Sequence, residues 1–213
     1  YLTTNNGEYT ARVVLVGTGV HPRELNAENE KDFRNRGVSY CSTCDGPLFR
    51  NKTVAIIGGG NSALESAIML SNIAEKIYLL TIHEELKGEN IYIEKIKKDP
   101  KVSIITQVDT KKFIGDNILS GIEYKDNNSK TIKKLAVQGA FIHIGVIPNS
   151  DLAPSEVEKN NFGEIITNKF GETSLEGLYA AGDVTDTPFK QIAIATGQAT
   201  TAVLKAIQYL DKN

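Results

Sequence analysis

The 213-residue sequence has no tryptophan, one methionine and only two cysteines. Small secreted domains held together by disulfides use several cysteine pairs, so a disulfide framework is excluded. Lysine and arginine (24) almost balance aspartate and glutamate (26), without a basic block that would suit nucleic acid. No apolar run approaches the ~18 residues of a membrane span, and no signal peptide is visible. We therefore expect a cytoplasmic protein with neither nucleic acid nor membrane as a partner.

The central part of the sequence predicts alternating strands and helices. Residues 53–57 form a short apolar run that ends at three glycines, which is typical of a buried parallel strand. A helix with small and apolar residues on one face follows, and residues 77–82 predict a second strand. Residues 91–96 predict another helix and residues 102–106 a third strand. This order predicts an α/β fold with a Rossmann-like nucleotide-binding sheet.

The flanking segments have a different pattern. Residues 1–16 predict a hairpin that turns at Asn6-Gly7. Residues 108–136 consist of short alternating runs separated by glycine, asparagine and aspartate, which predicts an antiparallel meander. Two more strands are predicted over residues 139–144 and 178–181. The last element is a helix over residues 191–210, whose apolar positions, from Ile192 to Leu210, are expected to face inward.

Both cysteines lie in the segment Cys41-Ser42-Thr43-Cys44. A Cys-x-x-Cys unit indicates redox chemistry or half of a zinc site. A structural zinc site needs more ligands than this pair, and the three histidines lack ligand spacing, so we expect no metal site. Vicinal thiols can form a small-loop disulfide, and the thiolate is the attacking species. Asp45, directly after the second cysteine, is placed to shuttle a proton, although an aspartate before Gly-Pro also suits a turn.

Gly58-x-Gly60-x-x-Ala63 lies between a predicted strand and a predicted helix, the context of a dinucleotide fingerprint. The first glycine permits the tight turn, and the second lets the backbone approach a pyrophosphate at the helix N-terminus. Ala63 allows the helix to pack closely on the strand. Asn61 or Ser62 could cap the helix. The alternative is a glycine-rich turn that binds nothing.

Nucleotide specificity is expected about twenty residues further on, at the end of the second strand. His83, Glu84 and Glu85 stand there, without an arginine. A carboxylate would repel a 2′-phosphate and could accept a hydrogen bond from a ribose 2′-hydroxyl. The alternative is that the glutamates begin a solvated helix. Further along, Gly182-Asp183-Val184 at a strand end suggests a carboxylate aimed at ligand hydroxyls, or an ordinary turn.

Over essentially its whole length the sequence resembles the low-molecular-weight thioredoxin reductases. Cys41 to Gly46 resembles their C-A-T-C-D-G redox site, and Gly17-Thr18-Gly19 resembles their A-T-G turn beside the flavin. The resemblance implies that the pyridine nucleotide is held by Gly58, Gly60, Asn61, Ser62, Ala63 and Glu65, with His83, Glu84 and Gly145 nearby. It implies that FAD is held by Thr18, Gly19, Gly182, Asp183, Val184, Lys190, Gln191, Ile192 and Ala193.

The same resemblance implies a mechanism. Hydride would pass from a reduced nicotinamide to FAD, and the electrons would then reach the cysteine pair and a disulfide of thioredoxin or a similar redox protein. Cys44 would face the flavin, Cys41 would exchange with the partner's disulfide, and Asp45 would be the acid/base. Asp183 would hold the flavin ribitol. The family resemblance also implies a homodimer and a domain rotation that alternates access to the flavin.

The resemblance divides the chain into residues 22–136, a pyridine-nucleotide-binding and redox-disulfide domain, and residues 1–21 and 137–213, parts of a discontinuous FAD-binding domain. Nothing before Gly17 can serve as the G-x-G-x-x-G unit for the ADP half of FAD. We therefore expect the N-terminal βαβ unit of that domain to be missing and FAD to bind poorly. The family's H-R-R-x-x-x-R phosphate clamp is reduced to His83-Glu84-Glu85, so either NADH or NADPH is an expected donor.

Two other functions stay open. The first is the reductase component of a peroxide-detoxifying system, a relative with a similar core and an extra N-terminal thioredoxin-like module. The second is a nucleotide-binding module without turnover, against which the intact Cys41 and Cys44 argue.

Overall fold

The computed structural model describes residues 2–212. They divide into two compact units: Pro22–Gly145 forms one, and the segments up to His21 and from Val146 onward form the other. Across the described residues, no helix combines the length and the apolar character needed to cross a membrane.

Strands outnumber helices among the regular elements of the described residues. The strands are β1 (Leu2–Thr4), β2 (Gly7–Tyr9), β3 (Val14–Val16), β4 (Val20–Pro22), β5 (Val38–Ser39), β6 (Thr53–Ile57), β7 (Lys76–Leu80), β8 (Val102–Ile105), β9 (Val108–Gly115), β10 (Leu119–Asp126), β11 (Ile132–Ala136), β12 (Gly139–Ile142), β13 (Val146–Pro148) and β14 (Leu178–Ala180). The helices are α1 (Ser42–Asp45), α2 (Asn61–Ser71), α3 (Asn90–Lys97) and α4 (Ile192–Leu210). Short 3-10 turns cover Gly46–Phe49 and Gly182–Val184.

A parallel sheet in the order β5-β12-β6-β7-β8 is the centre of the unit Pro22–Gly145. Successive strand side chains point to opposite faces of the sheet, so β6 serves two cores. Val54 and Ile56 pack with helix α2, whereas Ala55 and Ile57 join residues of the meander. Burial on both faces explains why the four residues from Val54 to Ile57 are all apolar.

The meander is an antiparallel sheet in the order β11-β10-β9. Phe113 and Ile122 of the meander are completely buried in the core that it shares with the parallel sheet. The expected α/β fold, with a Rossmann-like sheet and an antiparallel meander, is confirmed.

The observed unit ends at Gly145, whereas the sequence suggested a boundary after Ala136. Strand β12 is the reason, because it hydrogen-bonds between β5 and β6 and so belongs to the parallel sheet. Its four residues, Gly139 to Ile142, are all buried. The chain returns to the sheet after the meander before it leaves the unit.

In the other unit β1 pairs with β2, β3 runs parallel to β14, and β13 pairs with β4. The predicted N-terminal hairpin is therefore shorter than expected: it ends at Tyr9, and Val14–Val16 pairs with β14 instead. Tyr1 lies outside the described residues. Helix α4 packs through Ala202 and Ala206 against Tyr179. The expectation that Ile192 faces inward is wrong, because its side chain is 87% exposed.

Candidate redox-active site

Cys41 and Cys44 form a disulfide, with their Cα atoms 5.3 Å apart. Cys41 has an extended backbone directly before α1 and caps that helix, because its Sγ accepts a hydrogen bond from the Cys44 amide at 3.2 Å. Residues three apart share one face of a helical turn, which brings the two sulfurs together. Cys44 is exposed and Cys41 is half-buried. An external thiol or disulfide can therefore reach the pair.

The Asp45 carboxylate is held beside this disulfide by a residue that the sequence did not single out. The Ser39 hydroxyl donates to Asp45 Oδ2 at 2.6 Å and accepts a hydrogen bond from the Cys41 amide at 3.1 Å. The Asp45 amide in turn donates to the Cys41 carbonyl at 3.1 Å. Asp45 is half-buried, and the hydrogen bond from Ser39 holds its carboxylate at the helical turn that contains the cysteine pair.

The residue before the disulfide is also anchored. The Tyr40 hydroxyl donates to Glu30 Oε1 at 2.7 Å, and this carboxylate also accepts hydrogen bonds from the amides of Leu25 and Ala27. Burial, together with Glu30, raises the pKa of Tyr40 above its usual value. Because Glu30 is only 3% exposed, its carboxylate is shielded from water, and the three donors replace the hydrogen bonds that water would make. These contacts fix the strand end from which the redox helix starts.

A buried chain of hydrogen bonds runs from the redox helix to the sheet. Ser42 Oγ lies 2.6 Å from Ser66 Oγ on α2, and Ser66 Oγ lies 2.8 Å from His143 Nε2, at the end of β12. Burial lowers the pKa of His143 to about 4. This chain of hydrogen bonds was not identified from the sequence. The available signals were a serine between two buried alanines of α2 and a histidine at the end of an apolar strand.

The glycine-rich turn between β6 and α2 has the geometry of a phosphate loop. Gly58 has a φ of +146°, and a Cβ there would collide with the His143 carbonyl oxygen. Gly60 has nothing within 4 Å of an added Cβ, so the space in front of it is open. Ala63 is fully buried, as close packing of helix and strand requires. These residues fit a pyrophosphate approaching the backbone.

The cap of α2 differs from the expectation. Gly60 is the N-cap, without a side-chain hydrogen bond to the helix amides. Asn61 instead donates to Glu89 Oε1 at 3.1 Å and accepts from the Glu89 amide at 2.8 Å. Its side chain therefore ties the loop after β7 to the glycine turn. Ser62 is exposed in the first turn, and the uncapped amides leave the helix N-terminus able to bind an anion.

The loop after β7 carries the predicted specificity residues. His83, Glu84 and Glu85 are all exposed. The Lys87 amide donates to the Gly59 carbonyl at 2.7 Å, which holds this loop against the glycine turn. Glu65 is exposed on α2, where its charge, together with that of Glu89, raises the pKa of Tyr92. Gly145, with a φ of +104°, accepts a hydrogen bond from the Arg23 amide at 3.0 Å.

The residues predicted for FAD lie in the other unit. The Thr18 hydroxyl donates to the Asn149 carbonyl at 2.6 Å, and the Asn149 side chain donates back to the Thr18 carbonyl at 2.9 Å. Gly17 and Gly19 have open space in front of their backbones. Gly182 has a φ of +77°, and its amide donates to the Gln198 side chain at 3.0 Å.

The other predicted flavin residues divide into exposed and internal ones. Gln191, Ile192 and Ala193 are exposed at the start of α4, and Asp183 is half-buried, so all four remain accessible to a ligand. The Val184 side chain is completely buried in the core of the unit. Lys190 forms an ion pair with Glu164 at 2.8 Å and donates to the Thr185 carbonyl at 2.7 Å. The structure thus gives the side chains of Val184 and Lys190 internal contacts.

Comparisons with known proteins agree with this geometry. The model of the family described as pyridine nucleotide-disulphide oxidoreductase matches residues 2–199. The chain is 41% identical over 209 residues to an NADH dehydrogenase of Bacillus subtilis (strain 168), covering 98% of this chain and 41% of that protein. It is also 41% identical over 209 residues to a subunit of alkyl hydroperoxide reductase in Escherichia coli (strain K12), covering 98% of this chain and 40% of that protein.

Among solved structures, a thioredoxin reductase from Streptococcus pyogenes MGAS5005 has a TM-score of 0.92 at 30% identity, covering 99% of this chain and 69% of that one. The chain thus spans about two-fifths of the length of the two curated relatives. The match of nearly the whole sequence to one family model decides the classification. This chain belongs to the pyridine nucleotide-disulphide oxidoreductase family.

Proposed function

We propose that the chain is the disulfide-handling and nucleotide-binding part of a thioredoxin-disulfide reductase, which uses NAD(P)H and FAD to reduce the disulfide of thioredoxin or a similar protein. The observation that carries the proposal is the Cys41–Cys44 disulfide at the start of a short helix, with Cys44 exposed and the carboxylate of the next residue, Asp45, bonded to Ser39. The thioredoxin reductase from Streptococcus pyogenes, with its TM-score of 0.92, supports this choice of substrate.

The exchange step uses residues of this chain. In the reduced pair, the thiolate of Cys41 would attack one sulfur of the partner's disulfide, forming a mixed disulfide and releasing the other partner sulfur as a thiolate. Cys44 would then attack Cys41, which restores the disulfide and releases the partner as a dithiol. Asp45 would hold the proton that leaves Cys44, because its carboxylate is fixed at the same helical turn.

The glycine turn and the loop after β7 would hold the nucleotide. The open space at Gly60 and the uncapped start of α2 suit the pyrophosphate. Glu84 would accept from the ribose 2′-hydroxyl and repel a 2′-phosphate. No arginine follows Arg50 in the sequence, so this region lacks the usual partner of that phosphate. These features favour NADH, as the name of the Bacillus subtilis relative also does.

FAD would be held by the accessible residues of the other unit, from the turn at Thr18 and Gly19 to Gly182, Asp183 and the start of α4. When bound, it would pass an electron pair from the reduced nicotinamide to the Cys41–Cys44 disulfide, which becomes the dithiol. The family in general uses both flavin and pyridine nucleotide. A homodimer and a cytoplasmic location belong to the same proposal.

A second candidate function is the reductase component of a peroxide-detoxifying system. The 41% identity to the alkyl hydroperoxide reductase subunit of Escherichia coli favours it. The two functions differ in the protein disulfide that is reduced. Steady-state reduction of thioredoxin and of a peroxidase disulfide by the full-length protein, compared as kcat/KM, would decide between them.

The proposed chemistry is tested with Cys44→Ser. We expect this variant to lose reduction of the protein disulfide while nucleotide still reduces the flavin, because only the exchange step needs both sulfurs. Thr43→Ala is the matched control, since Thr43 is exposed between the same cysteines and should be replaceable. Undiminished disulfide reduction by Cys44→Ser would refute the assignment.

A further inference from the structure

The buried chain Ser42–Ser66–His143 connects the redox helix to the centre of the nucleotide-binding unit. Ser42 is 6% exposed and Ser66 is 4% exposed. Ser42 lies between the two cysteines, Ser66 on α2, and the His143 amide donates to the Ile57 carbonyl at 2.8 Å. Three segments that are distant in sequence are therefore joined at one buried point.

The hydrogen bonds between Ser42, Ser66 and His143 have a preferred donor-to-acceptor order. A serine hydroxyl has a single hydrogen to donate. Within residues 2–212, the Ser42 hydroxyl has Ser66 Oγ as its hydrogen-bond partner and no second acceptor. Both hydroxyl hydrogens are satisfied when Ser42 donates to Ser66 and Ser66 donates to His143 Nε2. The imidazole then acts as the terminal acceptor, with its own hydrogen on Nδ1.

The hydrogen bond between Ser42 and Ser66 also holds in place the turn that carries the hydrogen bond from the Cys44 amide to Cys41 Sγ. The Cys44 amide donates to Cys41 Sγ at 3.2 Å across the turn that contains Ser42. Such a bond is roughly twice as strong when the acceptor carries a charge, so it stabilises a Cys41 thiolate more than a disulfide sulfur. Without the hydrogen bond between Ser42 and Ser66, this turn would be held less firmly, and the Cys41 thiolate would lose part of its stabilisation relative to the disulfide.

We propose that Ser66 and His143 are positioning residues for the redox pair, which act through Ser42 and hold Cys41 and Cys44 in the geometry that favours the reduced state. The proposal rests on the proposed function in one respect, that this disulfide is reduced and reformed during turnover. It adds residues that belong to neither the redox motif nor the glycine turn.

The test is the midpoint potential of the Cys41–Cys44 pair in the full chain, from equilibration with dithiothreitol or glutathione buffers and thiol trapping. Ser66→Ala should make the potential more negative, because the thiolate loses stabilisation while the disulfide does not. We expect a change of about three- to tenfold in the thiol–disulfide equilibrium constant, which is about 15 to 30 mV for this couple. A role in stability alone would leave the potential unchanged.

A second pair of variants changes the acceptor end of the chain. His143→Phe removes the acceptor and should shift the potential in the same direction. His143→Gln keeps an acceptor near the position of Nε2 and should restore part of the wild-type value. Ser71→Ala is the matched control on the same helix, because its hydroxyl donates only locally, to the Ile68 carbonyl.

The possible outcomes separate the two proposals. A wild-type pair that does not titrate reversibly overturns the proposed function and this inference with it. A reversible wild-type pair with unshifted Ser66→Ala and His143→Phe overturns the inference alone, as does a shift of equal size in Ser71→Ala. A shift of the midpoint potential in Ser66→Ala and His143→Phe but not in Ser71→Ala, with partial recovery in His143→Gln, supports the inference.

Discussion

Replacing His143 by glutamine should remove a pH-dependent part of the free energy of unfolding. The imidazole is buried and bonded to Ser66, and burial lowers its pKa from 6.5 to about 4. In the unfolded chain the ring regains an ordinary pKa near 6.5. Between these values the unfolded chain binds a proton that the folded protein excludes.

The sign and size of the effect follow from proton linkage. Because the unfolded state binds more protons, stability rises with pH in this window and is lost progressively as the pH falls from about 6.5 to the folded-state value of about 4. The full difference between 6.5 and about 4 corresponds to roughly 3 kcal/mol at strongly acid pH. Between pH 7 and pH 5, about 2 kcal/mol of this should be lost.

Urea unfolding of the wild-type chain and of His143→Gln, followed by far-UV circular dichroism at pH 7 and pH 5, measures this contribution. The wild type should lose about 2 kcal/mol more than the variant on acidification. His83→Gln, in which an exposed imidazole is removed, is the control for generic effects of losing a histidine. Equal losses in the wild type and His143→Gln would show that the ring does not titrate as a buried neutral group.

Three further predictions concern the glycine turn, the nucleotide loop and the second unit. Gly58→Ala should destabilise the chain by roughly 1–3 kcal/mol in urea unfolding, because its φ of +146° and the His143 carbonyl leave no room for a Cβ; an unchanged midpoint would contradict this. Glu84→Arg should lower the KM for NADPH relative to NADH, and an unchanged ratio would remove Glu84 from the ribose site. Lys190→Met should cost about 1–3 kcal/mol in the same unfolding assay, because the half-buried Glu164 loses its ion pair, and wild-type stability would show that the pair contributes nothing.

Much of the nucleotide-binding unit was predictable from local sequence. The apolar run of β6, the glycines after it and the alanines of α2 specify a strand, a tight turn and a closely packed helix through backbone conformation and side-chain volume. The disulfide was predictable for the same reason, because residues three apart necessarily meet when one helical turn forms between them. Such features depend on neighbours in sequence.

The strand pairings were harder to predict from the sequence. The predicted N-terminal hairpin was too long because Val14–Val16 pairs with β14, more than a hundred and sixty residues away in sequence. The compact unit extends beyond Ala136 to Gly145, because the strand Gly139–Ile142 inserts between β5 and β6, and nothing in the nearby sequence indicates that pairing. Likewise, the exposure of Ile192 depends on which face of α4 meets Tyr179, and helical periodicity alone does not settle that.

The sequence by itself therefore determined the α/β class, the redox pair and the phosphate-type turn, each of which is encoded within a few consecutive residues. Only the tertiary structure decided which partners the polar side chains contact. Asn61 bonds to Glu89, Lys190 pairs with Glu164, and Ser66 joins Ser42 to His143. A buried polar group needs a partner wherever the fold places one, so its role is set by residues that no local pattern can identify.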